Sequence, residues 1–237
     1  MREYRSIAFV GTAISAVCLS MPALANLSGF ETPDIGWTSY EGGNSAQHYS
    51  RLAQINKDNV QDLEVAWSYE LAVGTSVSNP LIIDGIMYIV GSGAAIVALN
   101  AETGEEIWSR PNAAPGRTRG LAYWQSEDGS DRRILYVNNQ NLQALDARTG
   151  ADITSFGDSG KIDLRTGLGR DNVRNIQPGS PGRVYKNFII MGSSTGEDYD
   201  APPGDIRAYN ILTGEMAWIF HTIPHPGEAG YEDWDPE

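Results

Sequence analysis

Four short stretches hold side chains whose types and spacing can do chemistry. Arg119 opens Arg119-Gly120-Leu121-Ala122-Tyr123-Trp124. Its planar guanidinium can grip a carboxylate through two parallel hydrogen bonds and still reach a carbonyl oxygen, which the point charge of a lysine does less well. The plainer reading is a surface arginine clustered with Arg110 and Arg117. Ser193, Ser194 and Thr195 offer consecutive hydroxyls after an apolar run, suited to carboxylate oxygens or simply to a polar strand exit. Glu197 and Asp198 follow Gly196. Hard cations take oxygen ligands, and two neighbouring acids in a loop supply them, although acids in such loops are very often only solvated. His221 and His225 lie in a proline-rich segment with no third ligand at a useful spacing, so both read as loop residues. Cys18 is the only cysteine in the chain. A disulfide framework, a zinc ribbon, a thiol nucleophile and a haem-attachment motif are thereby excluded from these residues.

These groups need a scaffold, and the charge and composition bound it. The chain has 237 residues, 41% hydrophobic and 20% charged, with a formal net charge of −13. Residues 1–25 carry +1, which leaves −14 on the remainder. No basic run offsets that field, so nucleic acid is excluded as a partner. Arg2 and Arg5 precede the charge-free stretch Ile7–Leu19, and Ala23-Leu24-Ala25 gives a small-x-small cleavage pattern. The apolar run is too short to span a bilayer. Residues 1–25 read as a signal peptide cleaved after Ala25, which places the mature chain, residues 26–237, in the periplasm.

From Leu63 onward the pattern is β. Strands are expected at Leu63–Tyr69, Pro80–Ile83, Ile86–Val90, Ile96–Asn100, Ile107–Ser109, Ile134–Val137, Leu142–Asp146, Asn187–Met191, Ile206–Asn210 and Met216–Phe220. Asn56–Val60 reads as a helical turn, with Asn56 able to cap it. Three segments share one frame: Ala98 to Trp108, Ala144 to Thr154 and Ala208 to Trp218, each Ala-x-Asp/Asn-x-x-Thr-Gly. The acid or amide can accept turn N–H groups, the threonine can reinforce them, and the glycine supplies positive φ. Trp follows the glycine by four residues in two of the copies, an apolar plate for docking on a neighbouring sheet. Trp67 is the corresponding aromatic of a partial preceding blade, and Phe156–Ser180 reads as an excursion. Radial sheets of four strands, the blades of an all-β propeller, fit this spacing.

The frame resembles the tryptophan-docking repeat of the pyrroloquinoline quinone (PQQ)-dependent dehydrogenases, which are eight-bladed propellers. Trp37-x-x-Tyr40-x-Gly-Gly-Asn44-x-Ala46-Gln47-x-Tyr49-Ser50 resembles the family's mature start, and Arg119 to Trp124 its cofactor segment. Gly192-Ser193-Ser194, Pro202 to Tyr209 and Phe220 to Glu228 resemble the membrane-associated glucose and quinate dehydrogenase branch. The resemblance implies that Arg119, Ser193, Ser194 and Thr195 contact PQQ, an ortho-quinone with three carboxylates. It also implies that Glu197 and Asp198 are ligands of Ca²⁺ (or Mg²⁺). One departure is Ser76-Val77-Ser78-Asn79, where relatives often carry an acid or glutamine. The vicinal cysteine pair of alcohol-oxidising relatives has no counterpart here, in keeping with the sugar and polyol branch.

An eight-bladed ring of such repeats needs roughly twice the 212 residues that follow Ala25. The chain is therefore expected to be the N-terminal portion, about half the blades, of a dehydrogenase that moves hydride from sugar or polyol hydroxyls to PQQ. A membrane quinone or cytochrome is the implied electron acceptor. The family's catalytic base would lie beyond Glu237, so the fragment alone is expected to be inactive, with a C-terminal half as a candidate partner. The alternative is a non-enzymatic propeller of the same repeat, acting as an outer-membrane assembly or interaction scaffold. Arg119 to Trp124 favours the enzyme lineage, since a scaffold needs no grip on a quinone carboxylate.

Overall fold

The computed structural model describes residues 36–43, 45–71, 78–91, 95–111, 119–169, 173, 176, 178–196 and 201–234. The signal-peptide segment lies outside them. Among the described residues, twelve strands form three four-stranded antiparallel sheets. Sheet one holds β1 (Leu81–Ile83), β2 (Ile86–Val90), β3 (Ile96–Asn100) and β4 (Glu106–Arg110). Sheet two holds β5 (Ala122–Gln125), β6 (Arg132–Asn138), β7 (Asn141–Asp146) and β8 (Lys161–Asp163). Sheet three holds β9 (Arg183–Tyr185), β10 (Phe188–Met191), β11 (Ile206–Asn210) and β12 (Met216–Phe220). Each is a meander in chain order, the blade of a β-propeller.

The core lies between the sheets. Along β6, Ile134 and Tyr136 pack toward sheet one, while Leu135 and Val137 pack toward sheet three. Strand alternation thus places apolar residues on both faces of the middle sheet, and β6 has no exposed residue. Burial pushes the Tyr88 and Tyr136 phenols up to about 12. Tyr88 still donates to the Ala147 carbonyl at 3.1 Å, so its hydroxyl is satisfied inside.

The repeated frame builds the same turn three times. The Oδ1 atoms of Asn100, Asp146 and Asn210 each accept two backbone N–H groups, those of Glu102 and Thr103, Arg148 and Thr149, and Leu212 and Thr213. Gly104, Gly150 and Gly214 close the turns at φ of 74°, 70° and 81°. The alanines Ala98 and Ala208 sit opposite Trp108 and Trp218, with the same register shift one residue later.

Two tryptophans then step from sheet to sheet. Trp67 donates Nε1–H to the Ala101 carbonyl at 3.2 Å, and its ring covers Gly104. Trp108 repeats the contact on sheet two: Nε1 lies 3.0 Å from the Ala147 carbonyl, and the ring covers Gly150. Where the second copy has Thr154 instead of Trp, backbone serves. The Gly157 N–H donates to the Thr213 carbonyl at 2.9 Å, and Gly214 packs directly against Gly157. Trp218 departs from the expected burial. It is 43% exposed, because no further sheet among the described residues packs on β12.

The remaining differences are local. Leu63–Tyr69 joins no ladder among the described residues; of that run, Trp67 docks on the first repeat turn and the Tyr69 hydroxyl donates to the Glu106 carboxylate of β4. The helical turn expected at Asn56–Val60 is present, with the Val60 N–H donating to the Asn56 carbonyl at 2.9 Å and the Asn56 side chain accepting the Asp58 N–H, and a 3₁₀ turn, Val60–Asp62, continues it. β8 lies inside the stretch read as an excursion, and β5 and β9 were not expected as strands.

Candidate functional site

The lead-ins to the first strands of the three sheets, β1, β5 and β9, converge on Arg119 and Gly120. The Asn79 N–H, just before β1, donates to the Arg119 carbonyl at 2.9 Å. A Cβ on Gly120 would sit 3.3 Å from the Tyr40 ring, 3.4 Å from the Asn79 carbonyl and 3.8 Å from Pro181, just before β9. Residues from four parts of the chain therefore meet there, and glycine is the residue that admits such close approach. Asn79, in the segment that departs from the family pattern, acts here through its backbone.

The other arginines of this region are spent on structure. Arg183 donates to the carbonyls of Tyr40 at 2.7 Å and Gly43 at 3.1 Å, and pairs with Glu41 at 3.0 Å. It thereby ties the N-terminal segment, which is bridged through Trp37 to Ile82 of β1, to the first strand of sheet three. Arg207, 2% exposed, donates to the Leu164 carbonyl at 2.7 Å. Arg119 differs: it is exposed, and among the described residues no carboxylate pairs with its guanidinium. Arg110, proposed as its cluster mate, instead pairs with Asp152 of the second sheet, and Arg117 lies outside the described residues.

Ser193, Ser194 and Thr195 follow the C-terminal end of β10. Antiparallel pairing of Arg183 with Ile190 puts that end beside the start of β9, the same end of the sheets as Pro181 and Gly120. Ser193 is half-buried, while Ser194 and Thr195 are exposed. The Thr195 methyl lies against Gly204, at the lead-in to β11. Glu197 and Asp198 lie outside the described residues. Arg119 and the hydroxyls thus share one rim of adjacent sheets whose first strands, β5 and β9, touch. An exposed, unpaired guanidinium with hydroxyls at the same rim fits a ligand with several carboxylates and carbonyl oxygens.

A second constellation was missed by spacing arguments. His221, His225 and Glu228 come together on the loop after β12, with one potential ligand atom of each within 4.8 Å of the others. Glu228 is the third partner that linear spacing had denied to the two histidines. The His225 backbone N–H, and then the His221 ring, hold its carboxyl below the usual range. The cue was Gly227, whose φ of 89° turns the chain so that Glu228 faces back.

The comparisons with known proteins agree with the fold. The sequence model of the glucose/ethanol/alcohol dehydrogenase β-propeller domain, a PQQ domain, matches residues 37–237. The dehydrogenase subunit of the quinone alcohol dehydrogenase of Gluconobacter oxydans is 32% identical over 203 residues, 80% of this chain and 25% of that protein. Quinoprotein glucose dehydrogenase A of Acinetobacter calcoaceticus is 27% identical over 221 residues, 78% of this chain and 28% of that protein. Among solved structures, the quinohemoprotein alcohol dehydrogenase of Comamonas testosteroni superposes with a TM-score of 0.65 at 28% identity, covering 82% of this chain and 28% of that one. The chain therefore spans between a quarter and a third of the length of these relatives. With its all-β blades and repeated docking turns, this chain belongs to the PQQ-dependent quinoprotein dehydrogenases, the glucose/ethanol/alcohol dehydrogenase β-propeller family.

Proposed function

We propose that the chain forms part of an exported PQQ-dependent dehydrogenase that oxidises sugar or polyol hydroxyls, with Arg119 as a cofactor anchor. The observation that carries this reading is the exposed Arg119, without a carboxylate partner among the described residues, at the point where the lead-ins to the first strands of the three sheets meet. Its carbonyl is held by the Asn79 N–H and Gly120 beside it is closely packed, so a ligand gains two directed hydrogen bonds at little cost in ordering the chain. Ser193, Ser194 and Thr195 would donate hydroxyls to the ligand's remaining carboxylate oxygens. Glu197 and Asp198 are proposed to hold Ca²⁺ (or Mg²⁺) through oxygen ligands. When bound, PQQ supplies an electrophilic quinone carbonyl as the hydride acceptor, and a divalent cation supplies Lewis acidity. A membrane quinone or cytochrome is the proposed electron acceptor.

Sugar or polyol, rather than simple alcohol, is proposed because Cys18 is the only cysteine of this sequence. Within the family that the sequence resembles, the alcohol-oxidising relatives carry a vicinal cysteine pair at the quinone. Glucose, quinate and ethanol supplied to this chain reconstituted with PQQ, Ca²⁺ and a separately expressed C-terminal half, with an artificial electron acceptor, test this, and turnover of ethanol alone would overturn it. For the anchor, quenching of tryptophan fluorescence during titration with PQQ in Ca²⁺ buffer gives the affinity. Arg119→Ala should weaken it about 10- to 100-fold, the range of a lost charge-assisted hydrogen bond. Unchanged affinity in a folded variant would remove Arg119 from the site.

Export is the remaining part of the proposal. The charged start, the apolar run Ile7–Leu19 and Ala23-Leu24-Ala25 together support periplasmic delivery. Amino-terminal sequencing of protein recovered from the periplasm should begin at Asn26. Recovery there of chains that retain Met1 would contradict it.

A further inference from the structure

The loop after β12 holds the molecule's second concentration of ligating groups, on side chains that the proposed cofactor site does not use. His221 Nδ1 lies 2.8 Å from Glu228 Oε1. The other carboxylate oxygen accepts the His225 backbone N–H at 2.7 Å. The two imidazoles stack with ring centroids 3.7 Å apart and planes inclined by 17°. We propose that His221, His225 and Glu228 bind one divalent transition-metal ion of the Zn²⁺ class.

Two imidazoles and one carboxylate form a donor set of borderline softness, which suits Zn²⁺ and its neighbours and not Ca²⁺ or Mg²⁺. The spacing is near what the ion needs. Bonds of about 2.0–2.2 Å to two ligand atoms at a tetrahedral angle put those atoms about 3.4 Å apart. Ligand atoms of all three side chains already lie within 4.8 Å of one another. One rearrangement is required. The stacked rings direct their nitrogens along parallel planes, so His225, the exposed member, must turn its ring toward Glu228. His221 and Glu228 need only open slightly as the ion replaces the proton between them.

The backbone is built to hold the set. Pro224 and Pro226 flank His225 and restrict φ at their own positions. The Glu228 N–H donates to the His225 carbonyl at 2.9 Å, which closes the turn. The Thr222 N–H is anchored on buried Asp205 at 3.2 Å, so the stem next to His221 is fixed to the lead-in of β11. The His225 N–H on Glu228 orients the carboxylate, the role that outer hydrogen bonds serve at metal centres. Bound there, the ion would clip the loop to the end of β12 and leave a coordination position open to solvent.

The test is calorimetric titration of Zn²⁺ into tag-free, chelator-treated protein in a buffer with excess Ca²⁺, which occupies oxygen-only sites. One Zn²⁺ per chain is expected. Both His225→Ala and Glu228→Gln should weaken binding by at least about tenfold. Because His225 and Glu228 are exposed, circular dichroism should show both variants folded. The only other histidine, His48, lies near Glu41, and His48→Ala should leave the titration unchanged. Absence of saturable binding, survival of binding in both variants, or its loss in His48→Ala would each overturn the site.

Discussion

Trp108→Ala should lower the unfolding free energy by about 3–5 kcal/mol, whereas the same change at Trp218 should cost about 1 kcal/mol or less. Both residues occupy the same position of the repeat and pair with an alanine in their own sheet, Ala98 and Ala208. Sequence alone makes them equivalent. Docking separates them. The Trp108 ring covers Gly150 so closely that a Cβ there would lie 2.6 Å from a ring carbon, and its indole N–H is satisfied by Ala147. Truncation opens a cavity between sheets one and two and removes a donor from a carbonyl that Tyr88 also uses. Trp218 is 43% exposed and leaves no comparable cavity. Gly150→Ala checks the same contact from the other side, since φ of 70° and the Trp108 ring both oppose a side chain. Urea unfolding of the four proteins decides the matter. Equal losses at the two tryptophans would show that intrasheet packing, not docking, gives the residue its value.

That contrast marks how far sequence reading reaches. Strands β2, β3, β11 and β12 match the expected bounds residue for residue, because β2 follows the Asp84-Gly85 turn and the other three border the turns of the repeat. Strands β8 (Lys161–Asp163) and β9 (Arg183–Tyr185) have three residues each and little apolar pattern of their own. Their partners, β7 and β10, define them by ladder hydrogen bonds, which local composition does not encode. The reverse holds for Leu63–Tyr69, whose alternating Leu63, Val65, Trp67 and Tyr69 imitate a strand although Leu63 and Val65 are exposed. For the candidate site, the resemblance pointed to Arg119, but its convergence with Asn79, Tyr40 and Pro181 depends on tertiary packing. Glu228 escaped notice for a related reason. Ligand spacings such as i, i+4 presuppose a helix, and here a glycine turn brings the third group round.

Arg133→Ala should destabilise the protein by about 3–5 kcal/mol, while Arg110→Ala, which also breaks an ion pair, should change stability by about 1 kcal/mol or less. Arg110 and Asp152 pair across sheets one and two, but their side chains remain 38% and 44% exposed. Water solvates both charges after the mutation, so little is lost. Arg133 is 6% exposed. Its Nε lies 3.0 Å and 3.1 Å from the two Asp131 carboxylate oxygens, and a second nitrogen is 2.6 Å from Oδ2. The third nitrogen donates to the carbonyls of Ile211 at 2.8 Å and Leu212 at 3.3 Å, in the repeat turn of sheet three. The guanidinium also lies 5.7 Å from the centroid of the Trp124 ring. Removing it leaves Asp131 without its partner, uncovers part of an indole, and strips the Ile211 carbonyl of a buried donor. Arg133→Met separates these effects, because it keeps an apolar stem over Trp124 while losing the hydrogen bonds. If Met restores most of the stability, packing dominates; if it falls with Ala, the bonds to Asp131 and Ile211 do. A loss below about 1 kcal/mol in Arg133→Ala would place the tie between sheets two and three in the apolar core of Leu135, Val137, Ile189 and Tyr209 and in the bonds of Gly157 to Thr213 and Arg207 to Leu164.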